Sequence, residues 1–182
     1  MPIRELDPLT HLVADAVGLP GKRTFFLQAA SGADQVTLLI EKEQVRRLAE
    51  ALDELLAQLA RDRPEDPEEV AAAAGGEMVL REPLVPEFRV GQLELIYDPE
   101  RDRIVLAAAE LQGRAEGDEG GEDEDVRQVH LVATRAQLRR MAEHGASVVR
   151  GGRPACPVCG NPMDPAGHVC PAMNGHRPLS AR

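Results

Sequence analysis

The sequence predicts an α+β fold in which two pseudo-symmetric βββα modules form one antiparallel-sheet body, followed by a small zinc-ribbon-like C-terminal tail. Three observations predict it. Strand-like apolar segments come in threes, and each set leads into a segment whose apolar residues recur every three or four positions. Residues 36–50 set against 129–143, a constant offset of 93, share seven identities in fifteen: Val36/Val129, Leu38/Leu131, Gln44/Gln137, Arg46/Arg139, Arg47/Arg140, Ala49/Ala142 and Glu50/Glu143. All the cysteines, Cys156, Cys159 and Cys170, lie together near the C-terminus. Two copies are too few for a solenoid, and a sheet with one bare apolar face is more stable when paired, so the modules are expected to pack about a pseudo-two-fold axis. The expected divisions are 1–62 for the first module, 63–87 for a connector, 88–149 for the second module and 150–182 for the tail.

After a short polar lead-in, residues 11–17 read as a strand ended by the turn formers Gly18-Leu19-Pro20-Gly21. Residues 23–29 and 35–40 follow as strands around Ser31-Gly32-Ala33-Asp34. Val45, Leu48, Leu52, Leu55, Leu56 and Leu59 then mark one face of a helix over about residues 43–60. The connector carries Pro64, Pro67, Pro83 and Pro86, with a helical turn expected at 68–74 and an extended piece at 78–80. Residues 88–97 alternate as a strand, Asp98-Pro99-Glu100-Arg101-Asp102 turns, and 103–108 returns. Residues 113–125 hold seven acidic residues and four glycines with nothing apolar larger than Ala115, which predicts a disordered loop. Residues 126–133 form the next strand. Thr134 and Gln137 then make a capping box, Leu138, Met141 and Ala142 form the buried stripe, and Gly145 suits the left-handed position past the helix end.

The tail carries the most specific chemistry. In Ala155-Cys156-Pro157-Val158-Cys159-Gly160 a tight turn lets two thiolates converge on one tetrahedral ion, because backbone N–H groups stabilise their charge. Eight residues separate Cys159 from His168, enough for a short hairpin that returns His168 and Cys170 as the other two ligands. The expected site is Cys156, Cys159, His168 and Cys170 around a structural Zn2+, with His176 as the alternative fourth ligand. Four ligands leave no open position for water, which argues against a catalytic metal. No His-x-Glu precedes the knuckle, against a deaminase centre, and the pair does not follow a βαβ strand, against a thioredoxin-like one.

Composition narrows the function classes. Net charge is −10, divided into a body of −13 and a tail, residues 150–182, with four Arg against one Asp. An acidic body repels phosphate backbones, and the four aromatic residues, Phe25, Phe26, Phe88 and Tyr97, fall in strand patterns where at least half face inward. Nucleic-acid binding is therefore disfavoured, with the tail as its one candidate patch. No window of eighteen consecutive apolar residues predicts a membrane span, and Met1-Pro2-Ile3-Arg4-Glu5 lacks a secretory pattern. Three clustered cysteines fit metal ligation in a reducing compartment, so the expected location is the cytoplasm. His11, His130 and His144 have no partnered nucleophile and are expected at the surface or strand edges. No phosphate-binding glycine loop, dinucleotide fingerprint or nucleophile elbow occurs, and no catalytic residue is assigned. Arg46-Arg47 and Arg139-Arg140 are expected on matching exposed helix shoulders, paired with nearby acids such as Glu43 and Glu50.

The repeat, the turn at 98–102 leading into Ile104-Val105-Leu106, and the tail from Gly152-Arg153-Pro154-Ala155 through Asp164-Pro165-Ala166-Gly167-His168 to Asn174-Gly175 carry a resemblance. Together they resemble an actinobacterial family, the domain of unknown function 3090, also described as a repeat protein. Nineteen Arg against two Lys suit a GC-rich genome of that kind. The resemblance spans nearly the whole chain and implies a cytoplasmic protein with no assigned reaction, encoded beside a histidine-phosphatase-like and a kinase-like protein. The chain departs from the family pattern in the acidic insert at 113–125 and in Ala172, where Arg is expected. The combined expectation is a non-catalytic binding or adaptor protein with a structural zinc, docking a protein partner. The alternatives are an enzyme or binder of an anionic ligand in the cleft between modules, held by Arg139, Arg140, Arg153 or Arg177, and nucleic-acid binding through the tail.

Overall fold

The computed structural model describes residues 3–112, 126–152, 156–161, 163, 168–173 and 178–179, the side chains of His168, Val169, Met173, Pro178 and Leu179 excepted. Strands β1 (Arg4–Leu6), β2 (His11–Val17), β3 (Thr24–Ser31) and β4 (Asp34–Ile40) precede helix α1 (Lys42–Asp62). A short α2 (Pro67–Ala74) leads to β5 (Val90–Asp98), β6 (Arg103–Glu110), β7 (Gln128–Ala133) and α3 (Arg135–Arg150). The fold is thus α+β. Residues 113–125, expected to be disordered, lie outside the described residues.

Two sheets form the body. β2, β3 and β4 make an antiparallel meander that feeds α1, and β5, β6 and β7 make another that feeds α3. Their registers coincide at the offset of the sequence repeat: Phe25 lies opposite Ile40, and Ile104 opposite Ala133, 93 residues on from Ile40. The lead-in segments are exchanged between the sheets. β1, expected as part of a polar lead-in, runs parallel to β7 in the other sheet, with Leu6 opposite Leu131. The segment before β5 runs parallel to β4: Glu87 N–H donates to Thr37 O at 2.8 Å and Leu39 N–H to Phe88 O at 2.9 Å. A three-residue strand carries too little alternation to show in sequence. It forms because β7 offers an unpaired edge that must find partners.

The two helix starts reinforce this exchange. Gln137 Oε1 accepts from Thr134 N–H at 3.0 Å while Thr134 Oγ1 accepts from Gln137 N–H at 3.1 Å, the expected capping box. Gln137 Nε2 then donates to Leu9 O, at the entry of β2, at 2.8 Å. Gln44 accepts from Glu41 N–H at 2.9 Å and donates to Val90 O, at the entry of β5, at 3.1 Å. Each conserved-register glutamine therefore caps its own helix and ties down the first strand of the other meander.

One apolar core runs through both halves, from Leu27 and Leu38 of the first sheet through Leu52 of α1 to Leu106, Leu131 and Leu138. Burial of each such leucine contributes about 1.5–3 kcal/mol. α3 packs against α1 and β2, and Gly145 sits at that contact. A Cβ there would meet Val45 Cγ1 at 3.0 Å and Ala14 Cβ at 3.4 Å. This corrects the expectation that Gly145 ends α3: the helix continues to Arg150, with Gly151 as its cap, because the glycine is needed for close packing. Residues 78–80, expected to be extended, form no strand. The connector is held by a side chain: buried Gln28 accepts from Arg81 N–H at 2.7 Å and donates to Arg81 O at 2.8 Å and Thr37 Oγ1 at 3.0 Å. Among the described residues no helix is long and apolar enough to cross a membrane.

Candidate metal centre

The tail begins where α3 ends at Gly151, and its first described residue is Cys156. Residues 157–159 turn, and Gly160 adopts φ +72°, a conformation that costs a side-chain-bearing residue steric strain. Gly160 N–H donates to Cys156 O and Cys156 N–H to Asn161 O, both at 2.8 Å. These bonds close the knuckle and point Cys156 and Cys159 the same way. Cys170 arrives from the far side, after a strand β8 (His168–Val169) that pairs antiparallel with β9 (Pro178–Leu179), and before a 3-10 turn at Pro171–Met173.

The three sulfur atoms all lie within 4.8 Å of one another. Cys156 Sγ and Cys170 Sγ are 3.9 Å apart, far too long for a disulfide. Two thiolates at about 2.3 Å from a tetrahedral ion stand about 3.8 Å from each other, so this spacing suits a shared cation. Cys156 and Cys170 are buried and Cys159 is half-buried. Desolvation and the neighbouring thiols push the Cys159 thiol up, while Asn161 backbone pulls the other way. Crowded, desolvated sulfurs of this kind become thiolates when a cation offsets their charge. The three cysteines can therefore hold a metal ion.

Met163 is the residue that the sequence reading missed. It is buried against the cysteines and gives the centre an apolar lining. Its signal was an isolated large apolar residue between the two halves of the motif. His168 lies in β8, opposite Leu179, two residues before Cys170, but its side chain is outside the described residues, and so is all of His176.

The other singled-out residues have structural partners. Arg46 and Arg47 pair with Glu43 and Glu50 on the outer face of α1, as expected, and hold the Glu43 carboxyl down to about 2. Arg139 and Arg140 do not form the matching exposed shoulder. Arg139 pairs with Glu65, and Arg140 donates to Ala73 O and Gly76 O, so both fasten the connector to α3 and neither is available to an anion. Arg153 and Arg177 lie outside the described residues. His11, expected at the surface or a strand edge, lies on the edge strand β2 but is only 5% exposed, and its Nε2 finds no partner among the described residues. Burial, and then the charge of Arg81, lower its pKa. His144 Nε2 stands 3.1 Å from Asp15 Oδ2.

No curated protein matches the chain, and no solved structure does. One family model, described as protein of unknown function (DUF3090), matches residues 4–170. That span runs from the first residue of β1 to the third thiol of the centre. The chain, with its two exchanged sheets and its cysteine cluster, belongs to this family.

Proposed function

We propose that the protein is a non-catalytic binding or adaptor protein whose tail is organised by a structural zinc ion and docks a protein partner. The convergence of three thiols in a closed, Met163-lined knuckle is the observation that supports it. Cys156, Cys159 and Cys170 supply three ligands and His168, two residues before Cys170, the fourth, with His176 as the alternative. A tetrahedral structural ion stabilises a tail too small to fold on its own apolar contacts. The partner is a histidine-phosphatase-like or kinase-like protein in the cytoplasm, and the body is a duplicated pair of βββα modules.

Native mass spectrometry of protein purified without chelator, beside Cys156→Ser, tests the centre. One zinc per chain, lost in the variant, is expected; a chain that carries no metal overturns the reading. His168→Ala and His176→Ala, measured the same way, distinguish the fourth ligand. A pull-down with full-length and tail-truncated chain tests docking, and equal recovery of the partner by both overturns that part. A second reading, binding of an anionic small molecule between the halves, is favoured by a basic cavity beside the start of α1.

A further inference from the structure

At the N-terminus of α3, Arg135 is 2% exposed and forms an ion pair with Asp102: Nε donates to Oδ1 at 2.8 Å, and Nη2 stands 2.7 Å from the same oxygen without hydrogen-bond geometry. Arg135 Nη1 also donates to Arg63 O, just past the last turn of α1, and Tyr97 hydroxyl donates to Asp102 at 2.9 Å. Arg103 beside it pairs with Glu69 at 2.6 Å. Arg101, Arg103 and Arg135 at this end each meet an acid from the chain itself, and Arg63 donates to Pro99 O.

Strand register identifies the same positions in the other half. Because Phe25 and Ile104 occupy equivalent places opposite Ile40 and Ala133, Arg23 stands where Asp102 stands, and Lys42 where Arg135 stands. The acid of the ion pair is replaced by a second cation. Arg23 Nη1 donates to Val148 O, in the last turn of α3, at 3.0 Å, as Arg135 does at the end of α1. Among the described residues neither Arg23 nor Lys42 has an ion pair, and the neighbouring Arg89 has Glu41 alone, at 3.2 Å. Three cations thus face one carboxylate across a cavity of about 510 Å³.

Gly151 and Gly152 leave the space open. A Cβ at Gly152 would lie 3.2 Å from Lys42 Nζ, and one at Gly151 3.7 Å from Arg23 Nη1, so both charged heads converge on this glycine pair. Leu39, Ile40, Phe25 and Val149 supply an apolar wall behind them. The volume falls within the range of roughly 300–1,000 Å³ typical of small-molecule sites and exceeds the needs of a bare inorganic ion.

We infer that this cavity binds a phosphate monoester, whose phosphoryl group takes the place that the Asp102 carboxylate holds in the other half. The excess of two positive charges matches a phosphoryl dianion of about −1.5 to −2 at neutral pH, and the guanidinium of Arg23 can donate to two of its oxygens. The organic part lies against Leu39 and Val149. This deepens the second reading above and is independent of the metal centre, although Gly152 on its rim lies only four residues before Cys156.

Calorimetric titration of the full chain at low salt with phenyl phosphate, inorganic phosphate and succinate tests it. Saturable binding of phenyl phosphate is expected, tighter than either of the others. Charge reversal or removal at a few ångströms, in Arg23→Asp and Lys42→Gln, weakens it at least about tenfold. Arg47→Gln, which removes the same charge outside the cavity, leaves it unchanged. Arg23→Asp also gives Lys42 a carboxylate and unfolds at or above the temperature of the parent; should that variant not fold, Lys42→Gln decides alone. Absence of saturable phenyl phosphate binding, tighter binding of succinate, or binding by both cavity variants as tight as the parent's overturns the inference. Metal content by native mass spectrometry is read in parallel, so failure here and failure of the zinc reading are separate results.

Discussion

At the start of α3 a buried arginine meets an aspartate from the preceding hairpin, while at the start of α1 a lysine meets an arginine and a cavity. The backbone positions are register-equivalent and both helices open on a glutamine that reaches across to the other sheet. In one half an acid of the chain meets the buried arginine; in the other, among the described residues, no carboxylate pairs with Arg23 or Lys42. A similar asymmetry runs through the helix contact. Gly145 of α3 lies 93 residues on from Leu52 of α1, which is fully buried. Where one helix brings a large side chain, the other gives way. Two meanders of matching register thus share backbone bonding while the side chains at their corresponding positions differ.

The largest effect is expected from breaking the satisfied half. Asp102→Asn keeps a residue suited to the positive φ of 52° at this turn but leaves Arg135 without its carboxylate. Removing one partner of a buried pair costs about 3 kcal/mol, read as a lower urea midpoint at unchanged slope. A loss under a third of that would show that a neutral amide oxygen and the Arg63 carbonyl suffice for the guanidinium. The pair also carries an acid dependence. Partial burial opposes ionisation of Asp102, but Arg135 and then Tyr97 outweigh it and hold the carboxyl below its usual range. Its stabilisation is therefore complete above the unfolded carboxylate pKa, is lost as pH falls through the folded one, and is absent from Asp102→Asn.

Next in size, Gly145→Val forces a branched side chain against Val45 and Ala14. Overpacking of this kind costs about 2 kcal/mol despite the better helix propensity of valine over glycine. Thermal unfolding monitored by circular dichroism checks it, and an unchanged midpoint would mean that α1 and α3 slide apart freely. Smaller still, Gln44→Ala and Gln137→Ala each remove a cap and a cross-sheet bond, worth about 1 kcal/mol apiece. Similar losses sharpen the equivalence of the two halves, and a loss in only one of them breaks it.

The smallest effect is the histidine. Burial and Arg81 lower the His11 pKa, so the unfolded chain binds a proton that the folded one refuses. Stability is full above the unfolded value near 6.5 and declines as pH falls below it towards the folded pKa. Urea midpoints at pH 7.5 and 5.5 should differ less in His11→Phe than in the parent. Equal differences would place the acid sensitivity elsewhere.

Much of the fold was legible because it rests on local pattern. The leucine period of α1, the Thr134–Gln137 capping box and the turn at 98–102 each depend on residues within a few positions of one another, and each stands where the pattern put it. The close approach of the three thiols was equally legible, since Cys-x2-Cys and a returning cysteine leave a short tail few ways to bury them. Residues whose role depends on a distant partner were not. Gly145 reads locally as a helix stop and serves as a packing site; Arg140 reads as a surface charge and binds carbonyls of the connector. His11 gave no sign of burial, because nothing near it in sequence says which face of β2 meets the connector.

The sequence by itself determined the succession of the longer strands and helices, the capping box that opens α3 and the clustering of the three cysteines, all of which follow from short-range periodicity and residue type. Only the tertiary structure decided that the lead-in segments swap sheets, that Asp102 neutralises Arg135, and that Arg23 and Lys42 are left facing a cavity. Those outcomes turn on which unpaired edges, carbonyls and charges are brought together from separate elements of the chain, and such pairing is selected by packing of the whole core rather than by any segment's own preference.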